Sequence, residues 1–287
     1  MSLPGASAPP DAFAHCEALL RAADKDRFLA TLFAPAGARG ALHALYAFNA
    51  EIARIRELIH EPLAGEIRLQ WWSDALAGNG AGSVAANPVA AALATVIARH
   101  ALPVRRLDDL IAARRFDLYD DPMPSLAEFD AYARATSSGL IELAARILAG
   151  NDIAGVSEVA LHAGLAYAIA RLLQAFPIHA ARGQLFLPLD VLDRHGVQRQ
   201  DLRAAGMQAA MAELRGKARE HLKQAQPLME CLPEAALPAL LPVALVRPLL
   251  DRMERTDYDP YSGVDLAQWR RQWRLWRAAA SPARIFR

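Results

Sequence analysis

The chain has 287 residues and a mass of 31.2 kDa, and 54% of its residues are hydrophobic against 22% charged. That is enough to bury a core without disulfides or metals, and it excludes a disordered, collagenous or disulfide-scaffold protein. The 32 Lys+Arg nearly cancel the 31 Asp+Glu, leaving +1, so no global electrostatic footprint for nucleic acid is present.

In chain order, residues 1–10 are small, neutral and Pro-containing; they read as a disordered lead and not as a signal or transit peptide. Residues 11–287 read as one domain. Ala and Leu dominate it, β-branched residues are sparse, and Leu42, Leu45, Phe48, Ile52, Ile55 and Ile59 share one helical face. With Pro and Gly as punctuation, helices are expected over Asp11–Leu32, Gly37–His60, Leu63–Ala77, Pro88–His100, Val104–Phe116, Ser125–Ala149, Val156–Phe176, Arg199–Met229, Ala239–Arg255 and Leu266–Ala280. Trp71 and Trp72 point about 100° apart on their helix, so at least one should be buried. Gly78, Gly80 and Gly82 form a loop over Gly78–Ala86 that follows a helix and not a strand, which argues against a phosphate cradle. Asp120 and Asp121, before Pro122, mark a helix end and a turn. Ser137-Ser138-Gly139 lacks a nucleophile elbow and evident His–Asp partners, which argues against a hydrolase. The longest apolar stretch, Val159 to Ala181, is cut by Arg171 and Pro177 short of the ~20 residues of a membrane span, so a soluble, cytoplasmic protein is expected. Cys16 and Cys231 are expected to be reduced, buried small hydrophobes.

Near the end of the chain Trp269, Trp273 and Trp276 fall within about 60° of each other on a helical wheel. Arg270, Arg271, Arg274 and Arg277 occupy a neighbouring arc, and Arg284 and Arg287 extend it. A basic aromatic helix suits a membrane surface, peripheral at the inner membrane, or a partner helix. The competing reading, favoured by sequence, packs the tryptophans on the protein and leaves the arginines in water.

Three segments, taken together, resemble the squalene/phytoene synthase family of head-to-head prenyl synthases. They are Pro35-Ala-Gly-Ala-Arg39 with Ala44-Leu-Tyr-Ala-Phe48-Asn49; Phe116-Asp117-Leu118 followed by Tyr132 and Ser137-Ser138-Gly139; and Arg182-Gly-Gln-Leu-Phe-Leu-Pro188-Leu-Asp190 with His195-Gly196. The resemblance implies an all-α isoprenoid-synthase-type fold, a helical bundle around an apolar cavity. It also implies two aspartate motifs holding Mg²⁺ against a diphosphate leaving group, because Mg²⁺ takes hard oxygen ligands and neutralises the departing charge.

The family's first-motif aspartates correspond here to Ala53, Arg54 and Glu57, and the second-motif ligands to Arg171, Ala175 and His179, with Pro177 in between. One carboxylate remains among these six positions. The pattern resembles a branch of the family, the synthase-like assembly factors of respiratory complex I and their bacterial relatives, supported by the Ala44–Ala53 stretch and Gln70-Trp71-Trp72. What it implies is a protein without catalysis or cofactor that binds a complex I subunit or assembly intermediate, or an isoprenoid or lipid tail, through Arg39, Tyr46, Phe48, Asn49, Gln174 and Arg182. Two alternatives stand beside it: a prenyl transferase of squalene, phytoene or hopanoid type, with Mg²⁺ and with Arg54, Arg171 and Arg182 on the diphosphate, and a hydrophobic carrier. His179 has no His or Cys partner at metal-ligand spacing and reads as a capping or loop histidine. Glu51, Arg54, Glu57 and Glu61 read as a solvated, ion-paired face or a remodelled cavity mouth.

Overall fold

The structure is a computed structural model that describes residues 10–59, 61–79, 81–119, 121–151 and 153–286, with backbone alone at 10 and 81–83. Residues 1–9, His60, Gly80, Asp120 and Arg287, all used in the sequence reading, lie outside it. Among the described residues every regular element is a helix, as the sustained 3.6-residue apolar period requires.

Capping residues and prolines redraw several expected boundaries. Asp11–Leu32 is two helices, Pro10–Ala23 and Lys25–Thr31. Asp24 separates them: its carboxylate accepts the Arg27 backbone N–H at 3.0 Å and pairs with the Arg27 guanidinium at 2.6 Å, an N-cap that restarts the chain. Ser125–Ala149 divides into Leu126–Ala133, a wide π turn over Arg134–Ser138, and Gly139–Ala149. The expected Ala239–Arg255 helix keeps only Val246–Met253, preceded by 3-10 turns at Glu234–Ala239 and Leu241–Leu245. Pro238 and Pro242 lie within those turns, where each removes a donor from the i→i−4 ladder. Arg199–Met229 becomes helical only at Met207, the Gly78–Ala86 loop contains the short helix Ala81–Ala86, and Leu189–Arg194 adds a further short helix.

The chain forms two compact units, each built from alternating stretches. The first comprises the described residues within Met1–Tyr119, Gly139–Val156 and Leu232–Ala239. Its axis is Ala36–Ala53, in which residues 41–50 are all buried, packed by Pro10–Ala23 and Pro88–His100, with Gly139–Ala149 covered by Glu234–Ala239. Trp72, 1% exposed, lies edge-on to Phe48 at 5.0 Å, whereas Trp71 is half-buried. Burial of an indole on this scale accounts for a few kcal/mol of core stability.

The second unit comprises the described residues within Asp120–Ser138, Ser157–Cys231 and Leu240–Arg287. Its core helix, Val156–Ala181, runs through Pro177 and does not end at Phe176 as expected. One proline near a helix end costs one hydrogen bond, which the packing described below offsets. The resulting 26-residue helix is long and apolar enough to cross a membrane, and 72% of its most apolar window is buried inside the protein, the pattern of a core helix. Gly164 permits a close approach: a Cβ there would stand 2.5 Å from both the Cα and the backbone N of Ser138, whose hydroxyl donates to the Leu161 carbonyl at 3.0 Å. That occupies Ser138 in packing.

Candidate functional site

In the first unit, the segment bearing the first-motif positions is where a helix breaks. Ala36–Ala53 ends, Arg54 adopts φ −93° and ψ −1° as its cap, and Ile55–Leu58 resumes for one turn. Ala53 is half-buried; Arg54 and Glu57 are exposed and face each other at 3.8 Å. Upstream, Arg39 donates from Nε to the Ala34 carbonyl at 3.0 Å and from Nη2 to the Leu32 carbonyl at 2.9 Å, stapling the turn before its own helix. Tyr46 is buried beneath the Arg27 guanidinium, 5.7 Å from its ring, and Phe48 belongs to the core around Trp72. Asn49 differs: it is 6% exposed and its Oδ1 has no hydrogen-bond partner, an acceptor with unfilled capacity. Burial pushes the neighbouring Glu51 carboxyl above its usual range, with Arg68 at 3.9 Å pulling it back.

In the second unit, the helix bearing the second-motif positions packs against a later segment of the chain through Gln174, Phe176 and Pro177. Phe176 meets Tyr261 edge-on at 5.4 Å, and Pro177 Cγ lies 3.5 Å from where a Cβ on Gly263 would stand. Gly263 itself sits at φ +75°, a backbone region that L side chains rarely adopt. Gln174 donates from Nε2 to the Val264 carbonyl at 3.0 Å and to Asp265 Oδ1 at 3.3 Å, while accepting from Arg171 at 2.7 Å. Asp265 Oδ1 also receives the Arg271 guanidinium, whose Nε donates to the Leu266 carbonyl at 3.0 Å. A polar chain therefore links Arg171, Gln174, Asp265 and Arg271. His179 packs edge-on to Phe186 at 4.7 Å; burial, reinforced by the Arg182 charge, drives its pKa down to about 4 and keeps the imidazole neutral near pH 7. Ala175 is half-buried; Arg171 and Arg182 are exposed.

These side chains do not make a Mg²⁺ donor set. The first-motif positions offer one carboxylate, already opposite an arginine. The second-motif positions offer a neutral imidazole, and the neighbouring Gln174 amide is engaged elsewhere. Among the described residues no group of three or more His, Cys, Asp or Glu gathers in metal-ligating fashion.

Two expectations about other residues are corrected. The tryptophans of Gln268–Ala280 do not pack on the protein: Trp269, Trp273 and Trp276 are 63%, 50% and 55% exposed, because Leu275 and Ala278 form the buried side of that helix. Arg271 leaves the basic arc to anchor the helix start. Cys16 is buried, its thiol pushed up to about 12 by burial, but Cys231 is exposed in a 3-10 turn, Met229–Cys231, that holds no buried residue.

Sequence reasoning missed Tyr261, Gly263 and Asp265 as partners of the second-motif helix. The available signal was the turn-rich run Asp259-Pro260-Tyr261-Ser262-Gly263, in which the Asp259 carboxylate accepts from the Tyr261 N–H at 3.0 Å and the Ser262 hydroxyl at 2.6 Å. It also missed the His162–His221 pair, with Nδ1 atoms 3.0 Å apart on Val156–Ala181 and Met207–Leu228.

Among the described residues the helices make an isoprenoid-synthase-type fold. A solved dehydrosqualene synthase in complex with ligand superimposes with a TM-score of 0.78 over 94% of this chain and 96% of its own, at 18% identity. Residues 20–277 match the family model described as squalene/phytoene synthase, and the chain belongs to that family. It is 32% identical over 264 residues, 90% of this chain and 79% of the relative, to the Rattus norvegicus protein named NADH dehydrogenase (ubiquinone) complex I, assembly factor 6. It is 26% identical to the phytoene synthase of Arthrospira platensis, over 88% of this chain and 87% of that one.

Proposed function

We propose that this chain is a synthase-fold accessory protein in the assembly of respiratory complex I, which holds a subunit, an assembly intermediate or a lipid tail without joining isoprenoid diphosphates. The observation that carries the reading is the 32% identity, sustained over 90% of the chain, to a relative named as a complex I assembly factor. The chemistry agrees with it. Ionising a prenyl diphosphate requires metal-bridged neutralisation of the leaving group, and Ala53, Arg54, Glu57, Arg171, Ala175 and His179 are a loss of that donor set. Two of the cations offered as direct diphosphate ligands are engaged: Arg54 with Glu57 and Arg171 with Gln174.

Two measurements test the proposal. Purified protein with Mg²⁺ and farnesyl or geranylgeranyl diphosphate is expected to give no squalene, phytoene or presqualene diphosphate above a boiled control. Deleting the gene in the cell that carries it is expected to reduce assembled complex I while leaving isoprenoid products unchanged, with recovery on re-expression. Product formation in the first, or intact complex I with altered isoprenoids in the second, overturns it.

A further inference from the structure

Gln268–Ala280 is thirteen residues, about 20 Å of helix. At ~100° per residue, Trp269, Trp273 and Trp276 centre nearly opposite Leu275 and Ala278, the side buried on the Leu241–Leu245 turn. Three indoles thus point directly away from the unit that carries them. They are ordered on that face: Trp273 and Trp276 stack at 5.3 Å, the Arg270 guanidinium lies 5.2 Å from the Trp269 ring, and that of Arg277 lies 5.7 Å from the Trp273 ring. The helix start is fixed by Arg271 on Asp265 and Leu266, and Asp265 is held by Gln174 of the core helix. The face is therefore preformed, and presenting it to a surface needs no reordering of the chain.

Its charge is of one sign. Six arginines and no carboxylate side chain follow Asp265, in a chain whose total is only +1. Arg270 and Arg274 are exposed and Arg277 half-exposed, all flanking the indoles on the same side. Alternating charges along the helix would supply register for a protein partner; an unbroken cationic flank beside amphipathic rings matches a laterally uniform anionic plane. Indoles favour the headgroup level, where the ring is apolar and the N–H remains wet, and arginines favour the phosphates beside it.

We propose that the Trp269/Trp273/Trp276 face docks on an anionic lipid bilayer, with the indoles at headgroup depth and Arg270, Arg274 and Arg277 on the phosphates. This surface does not depend on the assembly role. The test uses the full chain with vesicles of phosphatidylcholine alone or with about one-third phosphatidylglycerol. Sedimentation with the anionic vesicles only, a blue shift of tryptophan emission, and quenching by lipids brominated near the headgroup are expected. Each arginine near such a surface is worth about fivefold in affinity, so Arg270→Gln with Arg274→Gln should weaken binding roughly 25-fold. Raising the salt from 0.1 to 0.5 M should release most of the protein. Trp269→Ser, Trp273→Ser and Trp276→Ser together should abolish the blue shift and most of the sedimentation; these are exposed positions, and circular dichroism checks that the variant stays folded. The arginine pair gives a second route to the same answer. Equal sedimentation of wild type and the triple variant overturns the proposal. So does failure of wild type to bind anionic vesicles, or a tryptophan-dependent dimer in light scattering, which would give the face to a second copy of the chain.

Discussion

His179 gives the most discriminating test of how its stretch of the core helix is packed. Burial, then the Arg182 charge, lowers its pKa from 6.5 to about 4. Between those values the unfolded chain binds a proton that the folded chain refuses, so stability is fully present above pH 6.5 and falls as the pH drops toward 4. The full difference of about 2.5 pH units corresponds to roughly 3 kcal/mol, of which about 2 kcal/mol is lost by pH 5. His179→Gln keeps a polar side chain of similar reach but does not titrate. Urea unfolding followed by circular dichroism at pH 7.5 and pH 5 should therefore show wild type losing about 2 kcal/mol more than the variant. His43, His100 and His221 are also held low by burial and contribute equally to both proteins, so they cancel in the comparison. Identical pH dependence in the two proteins would mean that the imidazole is solvated and not sealed beside Phe186.

Three further outcomes are expected. Gly164→Ala should destabilise the protein by about 2–3 kcal/mol or more, measured by thermal melting. Adding Ser138→Ala should not rescue it, because the clash includes the Ser138 Cα and backbone N. Trp72→Ala should cost about 3–5 kcal/mol, and Trp72→Phe far less, since the buried indole Nε1 has no hydrogen-bond partner to lose; chemical denaturation of both variants checks the order. Maleimide labelling of native protein at pH 7 should modify Cys231 and spare Cys16, read by mass spectrometry as one adduct per chain before unfolding and two after.

The helical class was legible because apolar spacing repeats locally and each helix carries its own signal. The errors came where distant residues decide. Pro177 read as a stop by a local rule, yet Tyr261 and Gly263, more than eighty positions later, pack against Phe176 and Pro177 and keep the helix running to Ala181. The wheel placed the three tryptophans on one arc correctly. It could not say that two aliphatic residues on the far arc, Leu275 and Ala278, would be the buried side. The resemblance pointed to particular residues, but no local pattern named what they touch. Gln174 reaches Val264 and Asp265 across ninety positions, and no spacing rule extends so far. Arg39 looked available for a ligand because carbonyl acceptors at Leu32 and Ala34 are invisible in a string of side chains.

The alternation of stretches within the first unit has a consequence for how the chain is made. Gly139–Ala149 is buried along most of its length, and part of its cover is Glu234–Ala239, a turn with Ala236 and Ala239 nearly inaccessible. At ribosomal speeds of about 5–20 residues per second, roughly 4–20 s pass between the emergence of the helix and that of its cover. Throughout that interval a strongly apolar helix flank, Leu140, Leu143, Ala144 and Ile147 among it, has to be shielded by something other than its native neighbour. A chain of this design is exposed to holdase chaperones during synthesis, and nonsense truncations before residue 234 should be cleared by proteolysis rather than persist as a folded amino-terminal fragment.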